Sequence, residues 1–268
     1  MTPAKQLLWT PSVAFWWRDV IRFLRQRNRI IGALATPLVF WLLVGTGFGP
    51  SFRNPAAVAA AGAAGSYLAY FFPGILVLIM LFTAIFSTIS VIEDRREGFL
   101  QGALVAPLSP AAIPLGKFLG GTTLAVLQAL LFCLLAPLAG LPIGLHQILL
   151  LMPALIVTGF AMTGLGFLVA WPMDSTQGFH AIMNIFLMPL WMMSGALFPM
   201  PVGTGWLHLV ALLNPVSYGV EAIRSSFAPT ISESLFSGYV TGVCVTALFA
   251  AVLFAVSVRL VAKRSRRG

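Results

Sequence analysis

Carboxylates are scarce in this chain. Seven Asp and Glu stand among 268 residues, and charged side chains of both signs make up only 9%. Soluble domains carry about 25% charged residues, because their surface must be wetted. A chain that is 59% hydrophobic cannot hide that difference in a core. Lipid removes the need. Length alone allows one or two domains, but apolar stretches recur from end to end, so one integral membrane domain is expected. Cysteine is nearly missing too. Cys133 and Cys244 lie inside apolar runs, where isolated cysteines act as small hydrophobes, and no Cys–His spacing suits a metal. His146, His180 and His208 are far apart, which favours packing or interfacial roles over a metal site or proton relay. A phosphate loop is also lacking. Gly116-Lys117 has neither the earlier glycine nor the following Ser or Thr of G-x-x-x-x-G-K-[ST]. Too few polar residues remain to build a nucleotide-binding domain, so no cofactor is expected in this chain. Regular apolar–polar alternation is absent as well, which argues against a β-barrel.

What is present is long and apolar. A membrane-spanning helix needs roughly 20 apolar residues. Six segments meet that test: 30–48, 67–92, 117–138, 147–171, 179–198 and 235–261. The expected fold is therefore all-α and integral to the membrane, with a six-helix domain over 30–261. Pro37, Pro73, Pro137, Pro153 and Pro189 fall in or near the spans; neighbouring helices, Ser and Thr can satisfy the carbonyls they free. The run from Ile30 is too long for the apolar region of a cleaved leader, and reads as a first span and signal anchor. Before it, residues 1–29 form a segment of another kind. Arg18, Arg22, Arg25 and Arg29 share one helical stripe, and Val13, Trp16, Trp17, Val20 and Leu24 lie opposite. That pattern predicts an amphipathic helix in the membrane interface. Residues 262–268 form a basic tail.

Lys and Arg set the orientation. With the N-terminus inside, fourteen of the 16 basic residues fall on the cytoplasmic side, and only Arg53 and Arg224 fall outside. That asymmetry places both termini in the cytoplasm. The net charge of +9 would suggest nucleic acid in a soluble protein. Here the cations flank apolar segments, which suits an anionic cytoplasmic leaflet and no nucleic acid.

Two stretches do not span. The first is the long cytoplasmic loop 93–116. It opens with Glu93, Asp94, Arg95, Arg96 and Glu97, then Gly98, then Phe99 and Leu100 in a short apolar run ending at Pro107. Five adjacent charges beside a bilayer are costly unless water or a partner receives them. The run after them predicts a brief cytosolic helix that can fit a groove on a soluble protein; a solvated connector is the plainer alternative. The second stretch lies outside, over 192–224. It holds Ser194-Gly195 and Phe198-Pro199, then Asn214-Pro215 with Ser217, Tyr218 and Arg224. It is apolar but too broken to span, so half-helices packed against protein are expected. Asn214 before Pro215 signals a turn that can cap a helix.

In order and spacing these pieces resemble the ABC type-2 transporter permeases over essentially the whole chain. Further marks are Gly45-Thr46-Gly47-Phe48-Gly49 and Gly116-Lys117. The resemblance implies a six-helix protomer, a second permease protomer in a homodimer or pseudo-dimer, and two copies of a separate ABC ATPase subunit that binds the ATP. It implies a coupling helix in the 93–107 loop and short re-entrant helices at the outer mouth over 200–224. Phe99-Leu100-Gln101 departs from the Thr-Leu-Glu that members often carry, and Ser109-Pro110-Ala111-Ala112 replaces more polar residues. The expected function is an export permease in the cell membrane, without chemistry of its own. A membrane-embedded enzyme would need a polar catalytic cluster at one depth. An ion-gradient transporter would need carboxylates inside the spans, whereas every Asp and Glu maps to a loop or an interface. Gln128 and Asn184 are expected within spans, where polar residues are functional candidates; an interhelical hydrogen bond is the favoured alternative. Asp174, between spans four and five, reads as a second ATPase contact or a solvated side chain. Gly116-x-x-x-Gly120 allows a close helix crossing. The cargo is not legible.

Overall fold

The computed structural model describes residues 3–25, 27–48, 66–198, 206–228 and 233–265. Among them the chain is helical, without a strand. The helices are α1 (Pro3–Leu24), α2 (Arg27–Phe48), α3 (Tyr67–Ser87), α4 (Ile89–Arg96), α5 (Phe99–Val105), α6 (Ala112–Cys133), α7 (Leu145–Ala170), α8 (Thr176–Met192), α9 (Trp206–Leu213), α10 (Pro215–Ser226) and α11 (Glu233–Ser265). Every predicted span has its helix. Four are long and apolar enough to cross a membrane: Tyr67–Arg96, which joins α3 to α4, and those at Ala112–Cys133, Leu145–Ala170 and Leu235–Ser265. In α2 the apolar part is Leu34–Gly47, and α8 has 17 residues.

α3 is the centre of the bundle. It carries no charged side chain, apolar residues stand on every face, and Phe71, Phe72, Ile75, Leu76, Met80 and Ala84 are all fully buried. A helix without a polar stripe has no side to offer water, so it goes to the middle. There it packs against α2, α6, α7 and α10. Ser66 starts it by accepting a hydrogen bond from the Ala69 amide at 3.1 Å. At its far end Ser87 and Thr88 donate back to the carbonyls of Ala84 and Ile85, a local competition that bends helices. The chain resumes at once as α4.

The first helix departs from expectation. α1 ends at Leu24 and a new helix begins at Arg27, so the continuous stripe to Arg29 does not form. Its buried face is Ser12, Phe15, Asp19, Val20 and Phe23, while Val13, Trp17 and Leu24 are exposed. The apolar side read from the pattern mostly points away from the protein. The mixed side packs along α6. Glycine makes that approach possible. A Cβ on Gly116 would stand 2.5 Å from Phe15 Cβ and 2.7 Å from the Ser12 carbonyl, whereas one on Gly120 would meet Asp19 Cβ at 3.4 Å. Gly116→Val should therefore separate α1 from α6 and cost about 1–3 kcal/mol, seen as a lower midpoint in thermal unfolding of the detergent-purified chain. Gly120→Ala should leave that midpoint near wild type.

Candidate functional site

α6 begins at Ala112, not at residue 117, so Lys117 sits in its second turn and turns inward. It is 2% exposed. Its Nζ donates to Asp94 Oδ2 at 2.6 Å, to Ser90 Oγ at 2.9 Å and to Asp19 Oδ1 at 3.0 Å. Three donors meet three acceptors from α1 and α4. Ser90 Oγ in turn donates to Asp19 at 3.2 Å. Asp94 is fully buried and also accepts from Arg18 Nη2. Its other oxygen, Oδ1, has no hydrogen bond but lies 3.5 Å from Arg22 Nη1. Arg22 also reaches Glu97 at 3.0 Å and Glu93 at 3.4 Å. Burial works against the Arg22 charge, but Glu93, Glu97 and Asp94 outweigh it, so the guanidinium is held above its ordinary value.

Two sequence expectations are corrected here. Four charges of the 93–97 cluster stand on α4, with Glu97 at its C-terminal cap, rather than in a loop, and the chain itself receives them. And not every carboxylate is at a loop or interface: Asp94 is wholly enclosed, and Asp19 nearly so. Burying a charge is tolerable only when it is paired and hydrogen-bonded, and here each carboxylate has Lys117 and an arginine.

α4 sends its charges two ways. Glu93, Asp94 and Glu97 face α1. Arg95 and Arg96 face the α7–α8 turn, where Arg95 Nη1 donates to the Met173 carbonyl at 3.0 Å and to Asp174 Oδ1 at 3.1 Å. Arg95 Nη2 reaches the Trp171 carbonyl, and Arg96 Nε donates to the Asp174 carbonyl at 3.0 Å. α4 is thus a bracket between the first helix and the turn that opens α8. Asp174, which sequence left open, is a partner of this bracket.

Gly98 separates α4 from α5. Its φ is +77°, a left-handed conformation that other residues adopt at a cost. α5 then leaves at a new angle. Leu100 is buried under it, Phe99 carries Arg18 stacked on its ring at 3.9 Å, and Gln101, Gly102 and Val105 remain exposed. The brief apolar helix expected after the charges is present over Phe99–Val105 and is anchored on α1 through Phe99.

The opposite end of the bundle gathers the other predicted residues. Asn214 caps α10, accepting from the Val216 amide at 3.0 Å while its Nδ2 donates to the Leu190 carbonyl at 2.6 Å. Pro215 is its first residue. Arg224 donates to the Gly195 carbonyl at 2.8 Å and lies over the Tyr70 ring at 4.4 Å. Tyr70 donates to the same carbonyl at 2.8 Å. Tyr218 donates to the Leu212 carbonyl at 2.9 Å, and the Ser217 hydroxyl is buried without a hydrogen bond. Gly195, at φ +77°, breaks the chain after α8, so that helix ends at Met192 rather than near Phe198. Phe198 is half exposed, and Pro199 lies outside the described residues. Sequence missed Gly195 as the shared acceptor, and Tyr70 with it. Within the bundle Gln128 pairs with Thr83 between α6 and α3, as expected of an intramembrane amide, while Asn184 is exposed. Between α2, α3 and α8 runs a cleft of about 560 Å³, walled by Phe40, Leu78, Phe82, Phe86 and Met188.

The family model described as ABC-2 type transporter matches residues 12–228. The chain is 28% identical over 226 residues to the transport permease ycf38 of Cyanophora paradoxa, covering 82% of this chain and 76% of that protein. Nodulation protein J of Rhizobium leguminosarum bv. viciae is 25% identical over an alignment that covers 99% of this chain and 98% of that protein. The daunorubicin resistance ABC transporter permease protein DrrB1 of Streptomyces coeruleorubidus is 24% identical over 261 residues, covering 96% and 88%.

Proposed function

The chain belongs to the ABC-2 type transporter family, and from that premise we propose that it is the membrane-spanning permease subunit of an ATP-driven exporter. It is a multi-pass membrane protein. In our reading six helices span, namely α2, α3 with α4, α6, α7, α8 and α11, and both termini are cytoplasmic. ATP is bound by two copies of a separate ATPase subunit. A second permease protomer completes the pathway, and the aromatic cleft between α2, α3 and α8 is the side on which it is formed. α9 and α10 are the re-entrant pair at the outer mouth, with Phe198, Pro199, Asn214, Pro215, Ser217, Tyr218 and Arg224 as the gate.

One observation carries this reading. The arm formed by α4 and α5 is tied through buried ion pairs to α1 and α6 and through Arg95 to the α7–α8 turn, yet the outer side of α5 is left exposed. An arm fixed at its root and open at its tip can pass a push from a docked ATPase into several helices together. The buried carboxylates do not favour an ion-gradient carrier, because Lys117 and the arginines already neutralise them.

Two measurements test it. The purified chain should hydrolyse no ATP by itself and should gain hydrolysis only with its ATPase; turnover by this chain alone would overturn the division of labour. Single cysteines replacing Arg96 and Thr204 should be labelled by impermeant reagents from opposite sides, Arg96 from the cytoplasm. Labelling of both from one side would refute the six-span topology.

A further inference from the structure

We propose that the cleft between α5 and the end of α11 binds the headgroup of an anionic phospholipid. The cleft has a volume of about 590 Å³, and Leu104, Val105, Trp171, Leu260, Lys263 and Arg264 line it. Ser265 Oγ bonds the Leu104 carbonyl at 3.1 Å across its rim, and Arg264 lies 5.9 Å over the Trp171 ring. Lys263 and Arg264 are both exposed, and neither forms an ion pair among the described residues.

The carboxylates of the chain account for that excess. Asp19, Glu93, Asp94 and Glu97 are taken by Lys117, Arg18 and Arg22, and Asp174 by Arg95. Glu221 lies on α10, at the other end of the bundle, and Glu233 is the first residue of α11. At about 1.5 Å per residue, Glu233 is roughly 45 Å from Lys263. None of these carboxylates is paired with the two cations, so an anion bound there would come from elsewhere. Basic pockets between helix ends at a cytoplasmic face are suited to lipid headgroups.

The rest of the helix fits the rest of a lipid. Leu248, Val252 and Val256 are exposed on α11, and with Leu260 and Arg264 they follow at four-residue steps, so they form a stripe that winds round the helix by roughly 160° toward the cleft. It runs roughly 24 Å along the axis, enough for one leaflet of a hydrocarbon core about 30 Å thick. A phosphate held at Lys263 and Arg264 would leave its acyl chains against that stripe. A free phosphate would leave it bare, and a docked ATPase would not reach it.

The test uses the full chain purified in detergent, with no ATPase present, so it stands apart from the export reading. Phosphatidylglycerol, phosphatidylcholine and inorganic phosphate are each titrated in while thermal unfolding is followed. Phosphatidylglycerol should raise the midpoint, and the other two should not. Lys263→Gln with Arg264→Gln should weaken that response roughly tenfold or more. Val105→Asp, which adds a negative charge at a position 76% exposed, should weaken it without removing either cation. Arg25→Gln should leave it intact. Equal stabilisation by phosphatidylcholine or by phosphate alone, or an unchanged response in both cleft variants, would overturn the proposal.

Discussion

Lys117→Met is expected to lose about 3–5 kcal/mol of folded stability, the cost of leaving buried charge unpaired. The methionine fills most of the lysine volume, so packing is not what changes. What changes is that Asp19 and Asp94, 8% and 0% exposed, lose the ammonium between them, and Ser90 loses its donor. Arg18 and Arg22 remain but approach from one side only. Guanidinium titration of the purified chain should move to a lower midpoint, or the protein should fail to accumulate. Adding Asp94→Asn to Lys117→Met removes one orphaned charge and should recover part of the loss. Recovery is the decisive outcome: a double variant as unstable as the sum of the singles would mean that Lys117 acts by shape, not by charge.

Gly98→Pro is expected to abolish coupling while sparing insertion. Proline is fixed near φ −65°, and the chain here needs +77°. The Gly98 amide also donates to the Arg95 carbonyl at 3.2 Å, a bond proline cannot make. A Cβ at this position would meet nothing, so the whole effect comes from the backbone. α4 stays anchored by its charges, and α5 is forced to leave it at another angle. Transport in vesicles should fall more than tenfold, with ATPase co-purification lost, while yield and oligomeric state remain as in wild type. Gly98→Ala should show a milder loss, since a left-handed non-glycine residue costs about 1–2 kcal/mol. Full transport by Gly98→Pro would reduce this segment to a connector. Charge reversal is better made at Arg96 and Glu97 than at Arg95, which is 10% exposed and bonds three groups of the α7–α8 turn.

The helices themselves were legible because lipid imposes a simple rule: each of the six apolar runs is helical, and four of the helices are long and apolar enough to cross a membrane. The Asn214-Pro215 cap was legible because its chemistry is local. The ion cluster was not. Asp19 hides among arginines on a helix whose tryptophans draw attention to the opposite face, and Lys117 looks like a flanking anchor just after a glycine. Their pairing depends on where α6 begins, and pattern alone fixes such boundaries only within about 2–4 residues. Here five residues decide whether Lys117 snorkels outward or points into the protein. The loop charges were found, but their direction was not, since a helix with acids on one side and bases on the other has no signature at five residues. Gly195 stands in the sequence beside Ser194 and ahead of Phe198-Pro199, and nothing local marks its carbonyl as the acceptor for Arg224 and Tyr70.

The seat of α1 on α6 also fixes an order of events during synthesis. Ser12 reaches the Ala112 carbonyl across 100 positions, and Lys117 reaches Asp19 across 98. At about 5–20 residues per second, the N-terminal helix waits on the order of 5–20 seconds before the surface it belongs to leaves the ribosome. Until then Asp19 lacks Lys117 and has only Arg18 and water for its charge. The cluster closes only once α6 has been made, so it works as a late clasp. A tag or fusion at the N-terminus would therefore act first on that docking step, well before any effect on the finished bundle.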